Sequence, residues 1–237
     1  MTLTTDFGNR DPFVAEMKAV ILRLCPEVTL VDVTHEVAPR DVLEGALALA
    51  RAARWFPRQT VHVAVIDPGV GSARAGVACR SRGQFFVGPD NGLLSLAVGK
   101  TRSCHRIDYP RAQVAPTFHG RDVFARAAAG LALGLPLRDL GRPHRLTRLP
   151  MSRRPCVLHA DRFGNLVLSV KDIPPGSRAV LVDGLDAAPL ARTYADVQPG
   201  SLCAYAGSGG RVEVAVRDGS ALDLLGRAPR GVRFRFA

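Results

Sequence analysis

Two side chains seven positions apart, Asp67 and Arg74, frame a glycine-rich break in the stretch HVAVIDPGVGSARAGVA, residues 62–78. An apolar run through Val61, Val63, Ala64, Val65 and Ile66 ends at Asp67. Gly69 and Gly71 would open a dinucleotide fingerprint, but position 74 is arginine where that pattern needs glycine. Gly71 and Gly76 would frame a phosphate loop, but Val77 and Ala78 stand where Lys and Ser/Thr are required. Arg74 can instead fold back to pair with Asp67 or with a bound anion, and a structural ion pair across a turn would use the same residues. His119, in PTFHGRDVFARAAAG, sits in a loop entering a helix beside the small Gly120. There it can titrate or hydrogen-bond a substrate, or serve as a satisfied surface histidine. Together Asp67, Arg74 and His119 form a set able to bind and polarise water: a carboxylate acceptor, a fixed cation that favours hydroxide, and an imidazole that orients it.

Further polar residues stand where packing alone does not ask for them. Asp6 closes the apolar start MTLTTDF and is expected on the same sheet edge as Asp67, where open α/β sheets bind ligands. A carboxylate there can accept both hydroxyls of a ribose, or merely open the turn before Asp11. In HADRFGNLVLSV, Asp161, Phe163 and Asn165 offer a charge, a stacking face and a two-way amide, a set suited to an amino-acid head group and a purine. Ser208 in AGSGG can add a polar contact. Two glycine-rich hairpin turns would explain the same residues.

These groups need rigid elements behind them. MTLTTDF, VTLVDVTH and TVHVAVID read as strands, and GVACR with GQFFVGPD as a hairpin-like pair. DPFVAEMKAVILRLCP reads as a helix capped by Asp11 with Pro12 at its first position, and DVLEGALALARAARWF as one capped by Asp41. GRDVFARAAAGLALG reads as a further helix, with Asp122 or a polar neighbour as its cap. Strands alternating with helices predict an α/β, sandwich-like N-terminal domain with a mostly parallel sheet over residues 1–148. Past Arg154 the texture changes to short β-type runs: CVLHADRFGNLVLSV, RAVLVDG, ARTYADV, SLCAYAG, RVEVAV and VRFRF. They predict a small all-β, barrel-like C-terminal domain over 155–237, joined by a solvated Pro/Arg linker.

Composition narrows the classes. The five cysteines are scattered and odd in number, which argues against a disulfide framework or structural zinc and suits a reducing cytoplasm. No histidine spacing suggests a metal site, and no apolar run reaches the roughly 18 residues of a membrane helix. The start MTLTTDFG carries no leader pattern. The net charge of +11 invites a nucleic-acid reading. Only Lys18, Lys100 and Lys171 are lysines, and the densest basic run, GRPHRLTRLPMSRRP, has no interleaved aromatics for base stacking. Neither a nucleic acid nor a membrane is therefore the expected partner.

Six collinear stretches, TLTTDFG, DVTHEVAPRDVLEGA, VHVAVIDPGVGSAR, FVGPDNGLLS, TFHGRDVFA and DRFGNL, resemble the S-adenosyl-L-methionine (SAM) hydroxide adenosyltransferases, or SAM hydrolases, which share a fold with fluorinases and chlorinases. The resemblance implies hydrolysis of SAM to adenosine and L-methionine by water or hydroxide attack at C5′, with no cofactor and no metal. It also implies a cytoplasmic homotrimer with sites between the N-terminal domain of one chain and the C-terminal domain of the next. The water-activating trio then falls on Asp67, Arg74 and His119, the ribose aspartate on Asp6, and further substrate contacts on Phe7 and Phe118. In the C-terminal domain the methionine and adenine contacts fall on Asp161, Phe163, Asn165, Ser208, Glu213 and Val216. Halogenating relatives carry tyrosine and serine after the residue matching Phe118, whereas this chain has His119 and Gly120, so water is the expected nucleophile. Arg217 departs from the asparagine of many relatives. A halide-dependent adenosyl halogenase and a non-catalytic SAM or adenosine sensor are the alternatives. A SAM methyltransferase is disfavoured by the single glycine of TTDFGNRD.

Overall fold

The computed structural model describes residues 1–237 apart from Arg102 and the side chain of Arg111. The chain divides into two compact units, Met1–Pro150 and Met151–Ala237.

The first unit is built on β1 (Thr2–Thr5), α1 (Phe13–Leu24), β2 (Val31–Thr34), α2 (Val42–Ala53), β3 (Val61–Val65), β4 (Gly76–Ser81), β5 (Gln84–Pro89), α3 (Ser95–Val98), β6 (Cys104–Arg106) and α4 (Ala125–Ala132). Its sheet runs β2-β1-β3-β5-β4-β6. The pairs β1–β2, β1–β3 and β3–β5 are parallel, and the hairpin partner β4 and the edge strand β6 join antiparallel. β3 is buried along its whole length because both faces are covered. Its odd residues Val61, Val63 and Val65 meet α1 and α4 with Leu3, Met17 and Phe124. Ala64 and Ile66 meet α2 and α3 with Leu49, Phe86 and Leu94. Strand alternation therefore yields a three-layer α/β/α unit. After β1 the chain crosses to β2 on one side and then returns to β3 on the other, so the strand order reverses beside β1. That reversal opens the crevice in which doubly wound sheets bind ligands.

Local detail departs from the sequence-based expectations at several points. Asp41 caps α2 by accepting from Glu44 N at 3.0 Å. Asp11 does not cap α1, whose N-cap position is Pro12 with no side-chain hydrogen bond. Asp122 does not cap its helix either: its Oδ2 accepts from Ala115 N at 2.8 Å and its Oδ1 from Arg121 Nε at 2.7 Å. Cys79 and Cys104, placed opposite each other in the β4–β6 register, form a disulfide, against the expectation from their number and scatter, while Cys25, Cys156 and Cys203 stay free. The 143–149 stretch is no solvated linker. Asp90 accepts from His144 Nε2 at 2.7 Å, Thr147 N at 2.8 Å and Thr147 Oγ1 at 2.9 Å, and Leu146 is buried. One buried carboxylate thus fastens a run that composition alone marks as surface.

The second unit holds β7 (Val157–Ala160), β8 (Leu166–Leu168), β9 (Ala179–Val182), β10 (Ala188–Pro189), β11 (Leu202–Ala206), β12 (Val212–Val216), α5 (Ala221–Leu225) and β13 (Phe234–Phe236). A four-stranded sheet, β11-β12-β8-β7, and a three-stranded one, β10-β9-β13, are both antiparallel and share one core around Leu166, Val182, Val214 and Phe234. The barrel does not close among the described residues. β10 is two residues long and ends in Pro189, which has no N–H to extend a ladder, so the link to β11 is the single bridge Leu190–Ala204. ARTYADV is not a strand but carries a 3₁₀ turn at Tyr194–Asp196, closed by a Thr193–Asp196 capping box. Arg217 braces this turn, donating to Ala195 O at 3.2 Å and Val197 O at 2.8 Å. Among the described residues no helix is long and apolar enough to cross a membrane.

His62, fully buried on β3, shares a 2.7 Å hydrogen bond with Thr2 Oγ1 and stacks on Phe86 at 4.9 Å. Burial, reinforced by the positive chain terminus, lowers its pKa from 6.5 to about 4. A base with a lowered folded pKa stabilises the fold fully above its unfolded pKa and loses that contribution as pH falls. Denaturant titrations should therefore show wild-type stability falling by roughly 3 kcal/mol as pH drops from 6.5 to 4, beyond the loss seen in His62→Gln, which keeps a polar group but does not titrate. Parallel curves for the two proteins would refute this account.

Candidate active site

Adjacent parallel strands deliver the two carboxylates. Thr5 of β1 lies opposite Val65 of β3, and the chain leaves these strands into Asp6 and, through Ile66, Asp67. The loop after Asp67 must turn back sharply. Gly71 adopts φ +79°, and a Cβ there would press on Pro116 O at 2.9 Å, so glycine is required. Ser72 Oγ donates to Gly69 O at 2.7 Å and accepts from Arg74 N at 3.2 Å. The return places Arg74 Nη2 2.5 Å from Asp67 Oδ2, with side-chain exposures of 10% and 5%. Arg74 Nη1 donates to Ala75 O at 2.8 Å, Nη2 also meets His119 Nδ1 at 3.2 Å, and the guanidinium lies over the Phe124 ring.

His119 is buried at the entry to a π-helical turn, Gly120–Phe124, which leads directly into α4. Such turns widen a helix locally and re-aim its side chains. The Tyr109 ring packs edge-on against the imidazole at 5.4 Å. A guanidinium only donates hydrogen bonds, so His119 Nδ1 must accept from Arg74, which assigns the ring proton to Nε2. Burial pushes the Asp67 carboxyl above its ordinary pKa, the Asp6 charge adds to the rise, and Arg74 opposes both. Asp67 Oδ1 and Arg74 Nε are buried without a hydrogen-bond partner.

These groups open onto a cavity of about 300 Å³. Asp6, Asp67 and His119 line it with Phe7, Phe13 and Phe118, whose ring centroids lie 5.4–5.9 Å apart. Asp6 Oδ2 accepts from Arg40 N at 2.7 Å, which fixes the carboxylate at the cavity mouth. Five of the residues singled out in the N-terminal half therefore line one cavity, with Arg74 directly behind Asp67. Phe13 and the Arg40 backbone escaped the sequence reading. The first looks like an ordinary apolar position at a helix start, and a backbone donor leaves no side-chain signature.

In the second unit Asp161, Phe163 and Asn165 share the β7–β8 turn. Asp161 Oδ1 accepts from Phe163 N and Asn165 N, both at 2.9 Å, and Oδ2 from Asn165 Nδ2 at 3.0 Å. The carboxylate thus shapes its own turn and leaves the Phe163 ring 76% exposed. Ser208 stands in the β11–β12 turn, and buried Glu213 faces Tyr205 across the ladder. Val216 is a core residue, 8% exposed. Among the described residues no three His, Cys, Asp or Glu side chains gather into a metal-ligating set.

A buried Asp–Arg–His cluster at the switch point of an α/β sheet, beside a carboxylate-and-aromatic cavity, marks a protein that handles a small polar ligand. Residues 1–141 match the SAM hydroxide adenosyltransferase N-terminal domain and residues 155–231 its C-terminal domain, and the chain belongs to that family. It is 43% identical over 254 aligned positions to a Salinispora tropica protein named (R)-S-adenosyl-L-methionine hydrolase, covering 99% of this chain and 96% of that one. The crystal structure of an uncharacterized conserved protein from Thermotoga maritima superposes with a TM-score of 0.89 at 31% identity, covering 100% of this chain and 99% of the other. A fluorinase from Actinoplanes sp. is more distant, 32% identical with 58% of this chain and 56% of its own length covered.

The Asp67–Arg74 pair makes a stability prediction. Removing one partner of a buried ion pair leaves an uncompensated charge, at a cost of about 3–5 kcal/mol. Arg74→Met should destabilise by that order in urea unfolding, and Asp67→Asn added to it should restore part of the loss. A double variant less stable than Arg74→Met would contradict the pairing.

Proposed function

We propose that the chain hydrolyses SAM to adenosine and L-methionine, with Asp67, Arg74 and His119 as its catalytic residues. The carrying observation is the buried cluster in which Asp67, whose Oδ1 has no hydrogen-bond partner, lines the same cavity as Asp6. Oδ1 holds the attacking water and takes its proton as the new C–O bond forms at C5′. The C5′–S bond breaks and its electron pair leaves with methionine as a neutral thioether, so no general acid is required. Arg74 stabilises the hydroxide character of the nucleophile. His119 orients it through Nε2–H. Asp6 receives the ribose hydroxyls on the lone pairs that Arg40 N does not use. Phe7, Phe13 and Phe118 face the sulfonium, whose positive charge favours the π surface of aromatic rings.

The domains we assign are 1–148 and 155–237. Asp161, Phe163, Asn165, Ser208, Glu213 and Val216 are read as methionine and adenine contacts supplied by the neighbouring chain of a cytoplasmic homotrimer. The enzyme needs no added cofactor. Gly120 weighs against a halogenase, since a Cβ there would already meet Met17 Sδ at 3.2 Å and Phe118 at 3.4 Å, leaving little room for a halide-binding hydroxyl.

Incubation with SAM in ¹⁸O-labelled water without halide should give labelled adenosine and unlabelled methionine. Asp67→Ala and Arg74→Ala should each lower kcat by at least about 10²-fold while SAM still binds. Bound but unchanged SAM would establish a sensor instead, and turnover only on adding halide would establish a halogenase.

A further inference from the structure

We infer that Asn91, which does not line the cavity, is a positioning residue for the Asp67–Arg74 pair. The inference rests on the reading of Asp67 as the group that holds the water. The parallel ladder between β3 and β5 has its last paired residues at Val63 and Val87, three residues short of Ile66. Beyond it, side chain replaces backbone: Asn91 Nδ2 donates to Ile66 O at 2.8 Å, fixing the peptide from which Asp67 departs. Asn91 is itself held in one rotamer, because its Oδ1 accepts from Leu93 N at 3.1 Å across a turn that Gly92 closes at φ +97°.

The same turn holds the other member of the pair. Asp90 N donates to Ala75 O at 2.9 Å, the carbonyl that also receives Arg74 Nη1 at 2.8 Å. Asp67 and Arg74 thus hang from two carbonyls, and both carbonyls are fixed from residues 90 and 91. Between its own ends the loop from Asp67 to Arg74 carries short-range bonds: Val70 N to Asp67 O at 3.2 Å, Ser72 N to Gly69 O at 3.2 Å, Ser72 Oγ to Gly69 O at 2.7 Å and Arg74 N to Ser72 Oγ at 3.2 Å. None of those bonds reaches from Asp67 to Arg74, and the Asn91 amide fixes the Asp67 end from outside.

The test is steady-state hydrolysis of SAM by wild type and Asn91→Ala across the pH range of activity, with thermal unfolding of both. Displacing a reacting group by about 1 Å costs up to 10²-fold. The expected result is therefore a kcat lower by about 10–100-fold with KM unchanged, and an acid limb whose midpoint moves to higher pH as the Asp67 carboxyl loses part of the hold of Arg74. Asn91→Ser serves where the alanine variant fails to fold: its hydroxyl can still accept from Leu93 N but falls short of Ile66 O. An unchanged kcat, a loss carried by KM, or a loss with an unmoved midpoint overturns the inference. Failure of the wild type to release adenosine overturns the proposed function itself, a result that no Asn91 variant can produce.

Discussion

A carboxylate and a guanidinium sealed from water in contact with each other are the constraint around which the N-terminal unit is organised. Desolvating such a pair costs several kcal/mol per ion, and the mutual attraction offsets this only where the remaining donors and acceptors are also met. Arg74 meets most of that demand with three partners, Asp67, Ala75 O and His119, and with the Phe124 ring beneath it, while its Nε and Asp67 Oδ1 stay unpaired. Each partner comes from a different part of the fold: the end of β3, the start of β4 and the π-helical turn before α4. Moving any of the three would uncover a buried charge. The pair is therefore a register mark for the assembly of these elements as well as the centre of the proposed chemistry.

The parts of this arrangement that were legible in the sequence are those that follow from strand patterning. Apolar runs ending at Asp6 and Asp67 announced two carboxylates at strand ends, and the rule that α/β sheets bind ligands at their carboxyl edge supplied the rest. Arg74 was visible because its glycine-rich context fits neither phosphate motif. What could not be read were contacts made by backbone or closed over long separations. Asp11 and Asp122 have the composition of caps, but Ala115 N and Arg121 claim Asp122, and Pro12 occupies the cap position of α1. The Cys79–Cys104 pair depends on β6 returning beside β4, which no spacing of cysteines reveals. The 141–155 run looked solvated because its arginines dominate the composition, while its anchors include His144, Thr147, the buried Leu146 and the backbone of Leu149.

The C-terminal unit shows the opposite balance. Most of its strands were legible one by one, though ARTYADV is a turn and the short β10 went unread, but closure was not, because a barrel depends on the weakest seam. A two-residue strand ending in proline supplies that seam here. Its DRFGN turn also carries two demands on one side chain. Asp161 spends both oxygens on the backbone and side-chain amides of its own turn, and this is what presents Phe163 outward. A turn that fixes an exposed aromatic ring at no cost in loop order suits stacking on a flat ligand better than ionic capture by the aspartate.

The choice of arginine at position 74 has a mechanistic consequence. A lysine in so dry a place would tend to lose its proton, whereas a guanidinium keeps its charge and can donate to two acceptors from one nitrogen. Because Nη2 serves both Asp67 and His119, the imidazole is held with Nδ1 as acceptor and cannot take a proton there from the nucleophile. In the proposed reaction Asp67 Oδ1 is left as the acceptor, on a carboxyl whose affinity for protons burial has already raised. Displacement at a sulfonium carbon asks for one proton acceptor and no acid, since the leaving thioether is neutral. The site has groups that fit that combination, and in the proposed reaction the arginine that would stabilise the nucleophile also decides which neighbour would deprotonate it.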